Sequence, residues 1–396
     1  MISYEEALVI VSSTLVSPNI ESIDLMDSLG RITAEVTRAD RDYPPFNRSA
    51  MDGFAILTKE YRNEIPLRYD RELHAGEEIT LTEDETIIKI MTGAPVPIGL
   101  DSVIKIEDTE LTELDGKKYV TFRNPKTKLW DNIAKRGEDV RFDEIVLDKG
   151  VSIGVSELAL LASLGKHRIN VSRLPKVTIL STGNEIIPIN QTPLNFQIRD
   201  SNSYTISAIL KKYGIKSTNT RNIGDNKKEL TDYIDKSKSS DILIISGGVS
   251  MGDMDLIPDI LHSLGGKQIF HKVAIKPGKP IWFGSLGTTI VFALPGNPFS
   301  VQTCARIFLE PFLQKFLGQN PKKPLKLPIA FQRSKKTKLA EFVPVRLETK
   351  DKTHLIQVPY NGSGDIRCGL SSAGLAFFPE TISQFEEGTI VDFYPW

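Results

Sequence analysis

Cysteine is nearly absent, since the 396 residues contain only Cys304 and Cys368. Two thiols cannot build a disulfide framework, and neither has a Cys or His at zinc-ligand spacing, so reduced thiols in a cytoplasmic protein are expected. Histidine is scarce as well. His74, His167, His262, His271 and His354 stand apart from every motif described below and are assigned no role. No charge sign is in excess either: 49 basic and 50 acidic residues leave a formal charge of -1. Such a chain has no global field to draw it to nucleic acid or to an anionic membrane. The longest charge-free stretch, residues 280–305, is broken by Gly284, Gly287, Pro295, Gly296 and Pro298, which argues against a membrane span. Glu5 and Glu6 stand where a secretory signal carries Lys or Arg, so no export is expected. Repeats and low-complexity segments are missing. With 40% hydrophobic and 25% charged residues the composition is that of folded domains, about two to four of them at this length.

What is present divides into segments of different pattern. Ser3-Tyr4-Glu5-Glu6 is a capping box with Ile2 placed as a hydrophobic staple, and it predicts a helix over 4–15. Short strand-like pieces fill 20–38, and a proline-containing loop at 42–46 marks a domain junction. Between 48 and 138, apolar runs at 52–57, 86–91, 102–106 and 118–122 alternate with polar turns, the text of a small β-rich domain inserted into the first. Leu158, Leu160, Leu161 and Leu164 suit a buried helix over 151–164, stopped by Gly165. From Lys176 onward strands at 177–180, 241–245 and 289–294 alternate with helices at 202–213, 227–236, 255–264 and 299–316. Continuously apolar strands in that rhythm predict a mostly parallel sheet covered on both faces. Cys304 falls within the last helix and reads as an inert core thiol. After Pro321, Pro324 and Pro328 the strand-rich tail fits a small β-barrel or sandwich.

In an open α/β sheet ligands sit beyond the carboxyl ends of the strands, and three loops there are unusual. Ser181-Thr182-Gly183-Asn184-Glu185 places hydroxyls, a glycine and a carboxylate at one strand end; a polar turn explains it equally well when it is taken alone. Ser246-Gly247-Gly248-Val249-Ser250-Met251-Gly252-Asp253-Met254-Asp255 offers backbone N–H groups and hydroxyls to an anion. It is neither a Walker loop nor a dinucleotide fingerprint, and Asp255 reads either as a ligand or as an N-cap. Leu294-Pro295-Gly296-Asn297-Pro298-Phe299-Ser300 is stiffened by two prolines, with a purely structural turn as the competing reading. Nearby, Ile275-Lys276-Pro277-Gly278-Lys279-Pro280 holds two lysines on a proline-restrained loop, which suggests fixed cations for an oxyanion or phosphate. Together the loops suit a phosphorylated or anionic ligand with Mg2+.

At this point the sequence resembles the molybdopterin molybdenumtransferase family, which includes the bacterial molybdenum-insertion enzyme and the matching domain of gephyrin. The resemblance is carried by Pro44-Pro45-Phe46-Asn47-Arg48-Ser49-Ala50-Met51-Asp52-Gly53-Phe54-Ala55, by Ile90-Met91-Thr92-Gly93-Ala94-Pro95-Val96-Pro97, by Arg136-Gly137-Glu138-Asp139, and by the three loops. Order and spacing agree over residues 1–316 and more loosely beyond. The resemblance implies a multidomain α/β plus β protein. Its parts would be an elongated linker domain (1–47 and 139–172), an inserted β domain (48–138), an α/β molybdopterin-binding domain (173–320) and a C-terminal β-barrel (321–396).

The implied activity inserts molybdenum from molybdate into adenylylated molybdopterin and releases molybdenum cofactor and AMP, with Mg2+ present. By motif, Asp52, Thr92 and Asp139 match functional positions of the linker and inserted regions. Glu185, Asp225, Ser250, Asp255, Lys276, Lys279, Pro295, Pro298 and Ser300 match those of the α/β region. Ser246, Gly247, Gly248 and Ser250 would bed the pterin phosphate together with Glu185, and Lys276, Lys279, Ser300 and Arg346 would take molybdate. Asp225 and Asp255 would face the Mg2+. Glu341-Phe342-Val343-Pro344-Val345-Arg346 fits the family's arginine segment, whereas the segments around Ser363 and Ser371 match only in part. Phe292, Phe299 and Phe308 are expected in the core and not against a pterin. A homodimer is implied, with transient contact to the enzyme that adenylylates molybdopterin. An elongated linker would hold Asp52, Thr92 and Asp139 away from the α/β loops of their own chain, so the site is expected to be shared between two chains. The rival readings are another user of the α/β module, a molybdopterin adenylyltransferase or a pyridine-nucleotide amidase, and a gephyrin-like scaffold without turnover.

Overall fold

A computed structural model of the chain describes residues 1–14, 19–60, 64–77, 80–82, 85–123, 127–249 and 256–396. It divides into two compact units: Met1–Ala34 with Gly150–Leu158 and Arg168–Trp396, and Glu35–Lys149 with Ala159–His167.

The second unit is built around the strand Gly53–Ile56, which lies between Ile87–Ile90 and Ser102–Lys105 in a four-stranded sheet. All four of its residues are buried. Successive side chains point to opposite faces, so Phe54 and Ile56 join Tyr69, Val120 and Phe122, while Ala55 joins Leu73, Ile88, Ile90 and Val103. The rings of Phe54 and Tyr69 meet edge to face at 4.9 Å. Gly53 is obligatory for a different reason. A Cβ there would stand 1.8 Å from the Ile104 carbonyl oxygen, closer than any side chain permits.

In the first unit, six strands follow the order Ser217–Ile223, Val177–Thr182, Ile242–Ser246, Thr289–Leu294, Trp282–Leu286, Lys267–His271. The first four run parallel, and Trp282–Leu286 is antiparallel to both of its neighbours, Thr289–Leu294 and Lys267–His271. Both faces are covered, as the apolar runs predict: Ile179, Ile244 and Phe292 belong to one core, and Leu180, Leu243, Ile245 and Val291 to the other. Phe299 and Phe308 are fully enclosed in the first core with Phe292. The charge-free stretch is a hairpin of Trp282–Leu286 and Thr289–Leu294, turned at Gly287 with φ 63°, and it leads into the helix Pro298–Cys304. Among the described residues no helix is long and apolar enough to cross a membrane.

Several elements differ from their expected form. The strand predicted to end at residue 180 runs through Thr182, because Ser181 pairs with Ser246 and Thr182 with Ile223. Helix 299–316 is divided by a π turn at Ala305–Leu309. The leucine-rich segment is helical over Val155–Ser163 only, and Leu161 is its one buried residue, so it is not a buried helix. The first helix runs over Tyr4–Ser13, with the Ser3 hydroxyl accepting the Glu6 N–H at 3.1 Å, and Leu15 lies outside the described residues. The tail forms a sheet in the order Ile275–Lys276, Ala340–Thr349, Gly374–Phe378, Ile390–Pro395, Leu325–Pro328, with Thr353–Gln357 on the far side of Ala340–Thr349. One parallel bridge joins Ile329 to Leu355.

Candidate active site

The sheet order places a switch point between Val177–Thr182 and Ile242–Ser246, since the chain leaves the first strand for one side and returns on the other. A cleft of about 450 Å³ opens there, lined by Thr182, Glu185, Asp225, Ser246, Gly247, Gly248, Pro295 and Pro298. Each loop has a physical reason for its residues. Gly247 and Gly248 have φ of 98° and 65°, and a Cβ on Gly247 would lie 2.4 Å from the Thr182 carbonyl oxygen. The Glu185 carboxylate folds back over Gly183, where a Cβ would meet it at 2.8 Å. Asp225 is held at the cleft edge by its own N–H, which donates to Asn184 Oδ1 at 2.9 Å, and its carboxylate accepts the Thr182 hydroxyl at 3.4 Å. Ser250 and Asp255, expected to serve phosphate and metal, lie outside the described residues.

A residue with no motif of its own ties two loops together. Asn202 donates to Ser246 Oγ at 2.9 Å and to the Gly296 carbonyl at 2.7 Å, and Ser246 reaches the Pro295 carbonyl at 3.4 Å. Only its position at the start of a helix pointing at the strand ends could have signalled it.

Adjoining this cleft, and sharing Pro280, Pro295 and Asn297 with it, is a cavity of about 690 Å³. Lys276, Lys279, Ser300 and Ser363 line it. Both lysines are exposed, and among the described residues neither ammonium has an ion-pair or hydrogen-bond partner. Ser300 is buried. Their loop is clamped from beneath. Cys304 Sγ contacts the Gly278 carbonyl at 3.6 Å, and a Cβ on Gly278 would strike that sulfur at 2.4 Å. Burial pushes the Cys304 thiol well above its ordinary range, so it is an inert packing group. Ser363 is tied in by the Asn297 side-chain amide at 2.9 Å and by the Phe299 N–H, which donates to its carbonyl at 3.0 Å. Ser371 is not brought there; its hydroxyl bonds the Arg367 carbonyl at 3.3 Å. Nor is Arg346, which is exposed and paired with Glu348 at 3.3 Å. The cavity wall instead carries Arg333, which no sequence motif marked.

In the other unit Asp52 and Thr92 are brought together. The Thr92 N–H and hydroxyl both donate to Asp52 Oδ1 at 2.7 Å, and the N–H foremost, then the hydroxyl, holds the Asp52 carboxyl below the usual carboxylate range. The following Gly53 lets the backbone pass Ile104, and the Asp52 carbonyl accepts the Ile106 N–H at 2.9 Å. Asp139 is exposed, and its N–H donates to the Tyr43 carbonyl at 3.0 Å. Among the described residues no bond joins its carboxylate to Asp52 or Thr92. The Asp139 turn is fixed by Asp42, which accepts from Arg136 at 2.6 Å and from the Phe142 N–H at 2.9 Å.

Fold and cleft define a multidomain protein with an α/β unit, open at its strand ends, and a β-rich tail. Comparison with known families narrows this further. Residues 2–165 match the MoeA N-terminal region (domain I and II), 178–315 the probable molybdopterin binding domain, and 326–396 the MoeA C-terminal region (domain IV). The chain is 30% identical to the molybdopterin molybdenumtransferase of Staphylococcus epidermidis, covering 99% of this chain and 94% of that one. It is 33% identical to a gephyrin of Dictyostelium discoideum over 76% of this chain and 48% of that protein. A crystal structure of a molybdopterin biosynthesis MoeA protein from Pyrococcus horikoshii superposes with a TM-score of 0.84 at 30% identity, covering 100% and 99% of the two chains. The chain belongs to the molybdopterin molybdenumtransferase family.

Proposed function

We propose that this chain inserts molybdenum from molybdate into adenylylated molybdopterin, releasing molybdenum cofactor and AMP. The observation that carries the reading is the pairing of two sites in one unit. A glycine-walled cleft at the switch point adjoins a cavity with a buried hydroxyl and two lysines that have no partner among the described residues. Ser246, Gly247, Gly248 and Glu185, with Ser250, bed the phosphate side of the pterin. Lys276, Lys279 and Ser300 bind molybdate, fixed cations being suited to an oxyanion. Pro295 lines both and Pro298 the cleft, where they would contact the substrate, and Arg346 remains a candidate at the molybdate side only through its motif.

Mg2+ fits the donor set. It is bound typically by one or two carboxylates together with substrate phosphates and waters, and Asp225 stands at the cleft with one long hydrogen bond on its carboxylate among the described residues. Asp225 and Asp255 would hold it. When bound it would neutralise charge on the pyrophosphate, while the protein's own glycine N–H groups orient that group. Asp52, its carboxylate fixed by Thr92, and Asp139 act at the reacting centre from a second chain of a homodimer. Their membership of a different compact unit from the cleft residues supports this reading. The four-domain division at 1–47 with 139–172, 48–138, 173–320 and 321–396, closure of the tail into a barrel through the Ile329–Leu355 bridge, cytoplasmic location and transient contact with the adenylylating enzyme belong to the same reading.

The test is a turnover assay with purified chain, adenylylated molybdopterin and Mg2+. AMP formation that depends on molybdate is expected. Binding of the substrate without turnover would favour a scaffold instead.

A further inference from the structure

The cavity that holds Lys276, Lys279 and Ser300 has a third cation on its wall. The geometry points to Arg333 as a fixed guanidinium of the oxyanion site, with Glu341 as the residue that positions it; this rests on the reading of that cavity as the molybdate site.

Arg333 lines the cavity and Glu341 does not. One Nη of Arg333 is hydrogen-bonded to Glu341, and the other donates to Gln357 Oε1 at 3.3 Å. The guanidinium stands over the Phe378 ring, 5.1 Å from its centre. Glu341 is itself held, because its second oxygen accepts the Thr337 hydroxyl at 3.0 Å. The arginine side chain is 16% exposed and the glutamate 5%. The ion pair is therefore oriented, with its positive end toward the cavity and its negative end enclosed behind it. Its Nε–H is buried and finds no acceptor among the described residues.

Strand register links this arginine to the lysines. Lys276 is the direct ladder partner of Glu341 where Ile275–Lys276 runs parallel to Ala340–Thr349. The residue that clamps Arg333 thus lies opposite the residue that carries the first ammonium, and the backbone hydrogen bonds fix one relative to the other. Arg346, farther along the same strand, has no such placement; it pairs with Glu348 in solvent. A rigid fork of N–H donors beside two ammonium groups suits a tetrahedral oxyanion, because it adds direction to charge.

Calorimetric titration of the full chain with molybdate alone tests the assignment. Removing Arg333 by itself leaves Glu341 buried and unpaired, so Arg333→Gln is combined with Glu341→Gln to give a neutral amide pair, and a thermal melt checks folding. Molybdate is expected to bind the double variant about tenfold more weakly or worse. Arg333→Lys should lose less, since it keeps the charge but not the fork. Lys326→Gln, which removes an exposed lysine paired with Asp392, should change nothing and controls for net charge. Wild-type affinity in the folded double variant, alongside weakened binding in Lys279→Ala, overturns the role of Arg333 and leaves the cavity reading intact. Undiminished binding in both, or no binding by the wild-type chain, overturns the cavity reading as well. Should the double variant fail to fold, Arg333→Lys decides, and undiminished affinity there overturns the assignment.

Discussion

The Asp52 site and the lysine cavity handle charge in opposite ways. Asp52 has a backbone N–H and a hydroxyl committed to one of its oxygens, whereas Lys276 and Lys279 have no partner among the described residues. A committed carboxylate is preorganised: its direction and ionisation are set before any ligand arrives. An uncommitted ammonium is left for a ligand to satisfy. The first arrangement suits a group that acts on a reacting atom, and the second suits capture of an anion. Damage to the first site should therefore lower turnover, and damage to the second should raise the substrate concentration needed.

The largest effect is expected where the first arrangement is built. Gly53→Ala forces a Cβ into the Ile104 carbonyl, and since backbone cannot rotate away as a side chain can, the central strand must shift. A loss of about 3 kcal/mol or more in denaturant unfolding is expected. An unchanged midpoint would show that the strand yields cheaply and that Asp52 is not rigidly placed.

Next in size is the loss of turnover in Asp52→Ala and in Asp255→Ala, roughly a hundredfold or more each. With the two groups in one shared site of a homodimer, mixing the two inactive chains after full dissociation should restore activity. Random pairing makes about half the dimers mixed, each with one intact site of two, so roughly a quarter of wild-type AMP formation should return. A mixture that stays inactive after confirmed subunit exchange places the site within one chain.

Lys279→Ala comes third, with the molybdate concentration for half-maximal rate rising about tenfold or more while the maximal rate is largely kept. A fall in maximal rate at unchanged molybdate dependence would move Lys279 from capture to chemistry and dissolve the contrast.

How far the sequence reaches also differs between regions. The parallel strands were legible because continuous apolar runs such as Ile242–Ser246 are demanded by burial on both faces. The strand Ser217–Ile223 was not, because Ser-Thr-Asn-Thr-Arg-Asn-Ile carries no apolar period and is a strand only by pairing with Val177–Thr182. The strand Trp282–Leu286 was not read either, because Gly284 and Ser285 interrupt its apolar run and it owes its place to antiparallel pairing with Thr289–Leu294. Site residues were legible where local chemistry is unusual. Two glycines before a helix and two lysines among prolines announce themselves. Arg333 and Asn202 did not, because each owes its place to partners distant in the chain: Glu341, Gln357 and Phe378 for one, Ser246 and Gly296 for the other. Arg346 stood in a familiar segment, yet strand register turned it to solvent beside Glu348.

The smallest effect is expected from Thr92→Val, which keeps the N–H donor and removes the hydroxyl. Both donors stabilise the ionised Asp52, the N–H more than the hydroxyl, and hold its carboxyl below the ordinary range. A group whose folded-state value is depressed contributes stability that is present above its unfolded value and is lost as pH falls through the folded one. At neutral pH Asp52 is therefore ionised in both chains, and the variant should turn over at nearly the wild-type rate. The difference lies on the acid side. With one donor gone the carboxyl moves up toward its ordinary range, so the acid limb of kcat/KM should shift to higher pH, and the Asp52 carboxyl carbon followed by NMR should titrate later on the alkaline side than in the wild-type chain. The Lys279→Ala chain should show no such shift, since Thr92 still donates both of its hydrogen bonds to that carboxylate. An acid limb that moves in Lys279→Ala and not in Thr92→Val would reverse the assignment of the two sites.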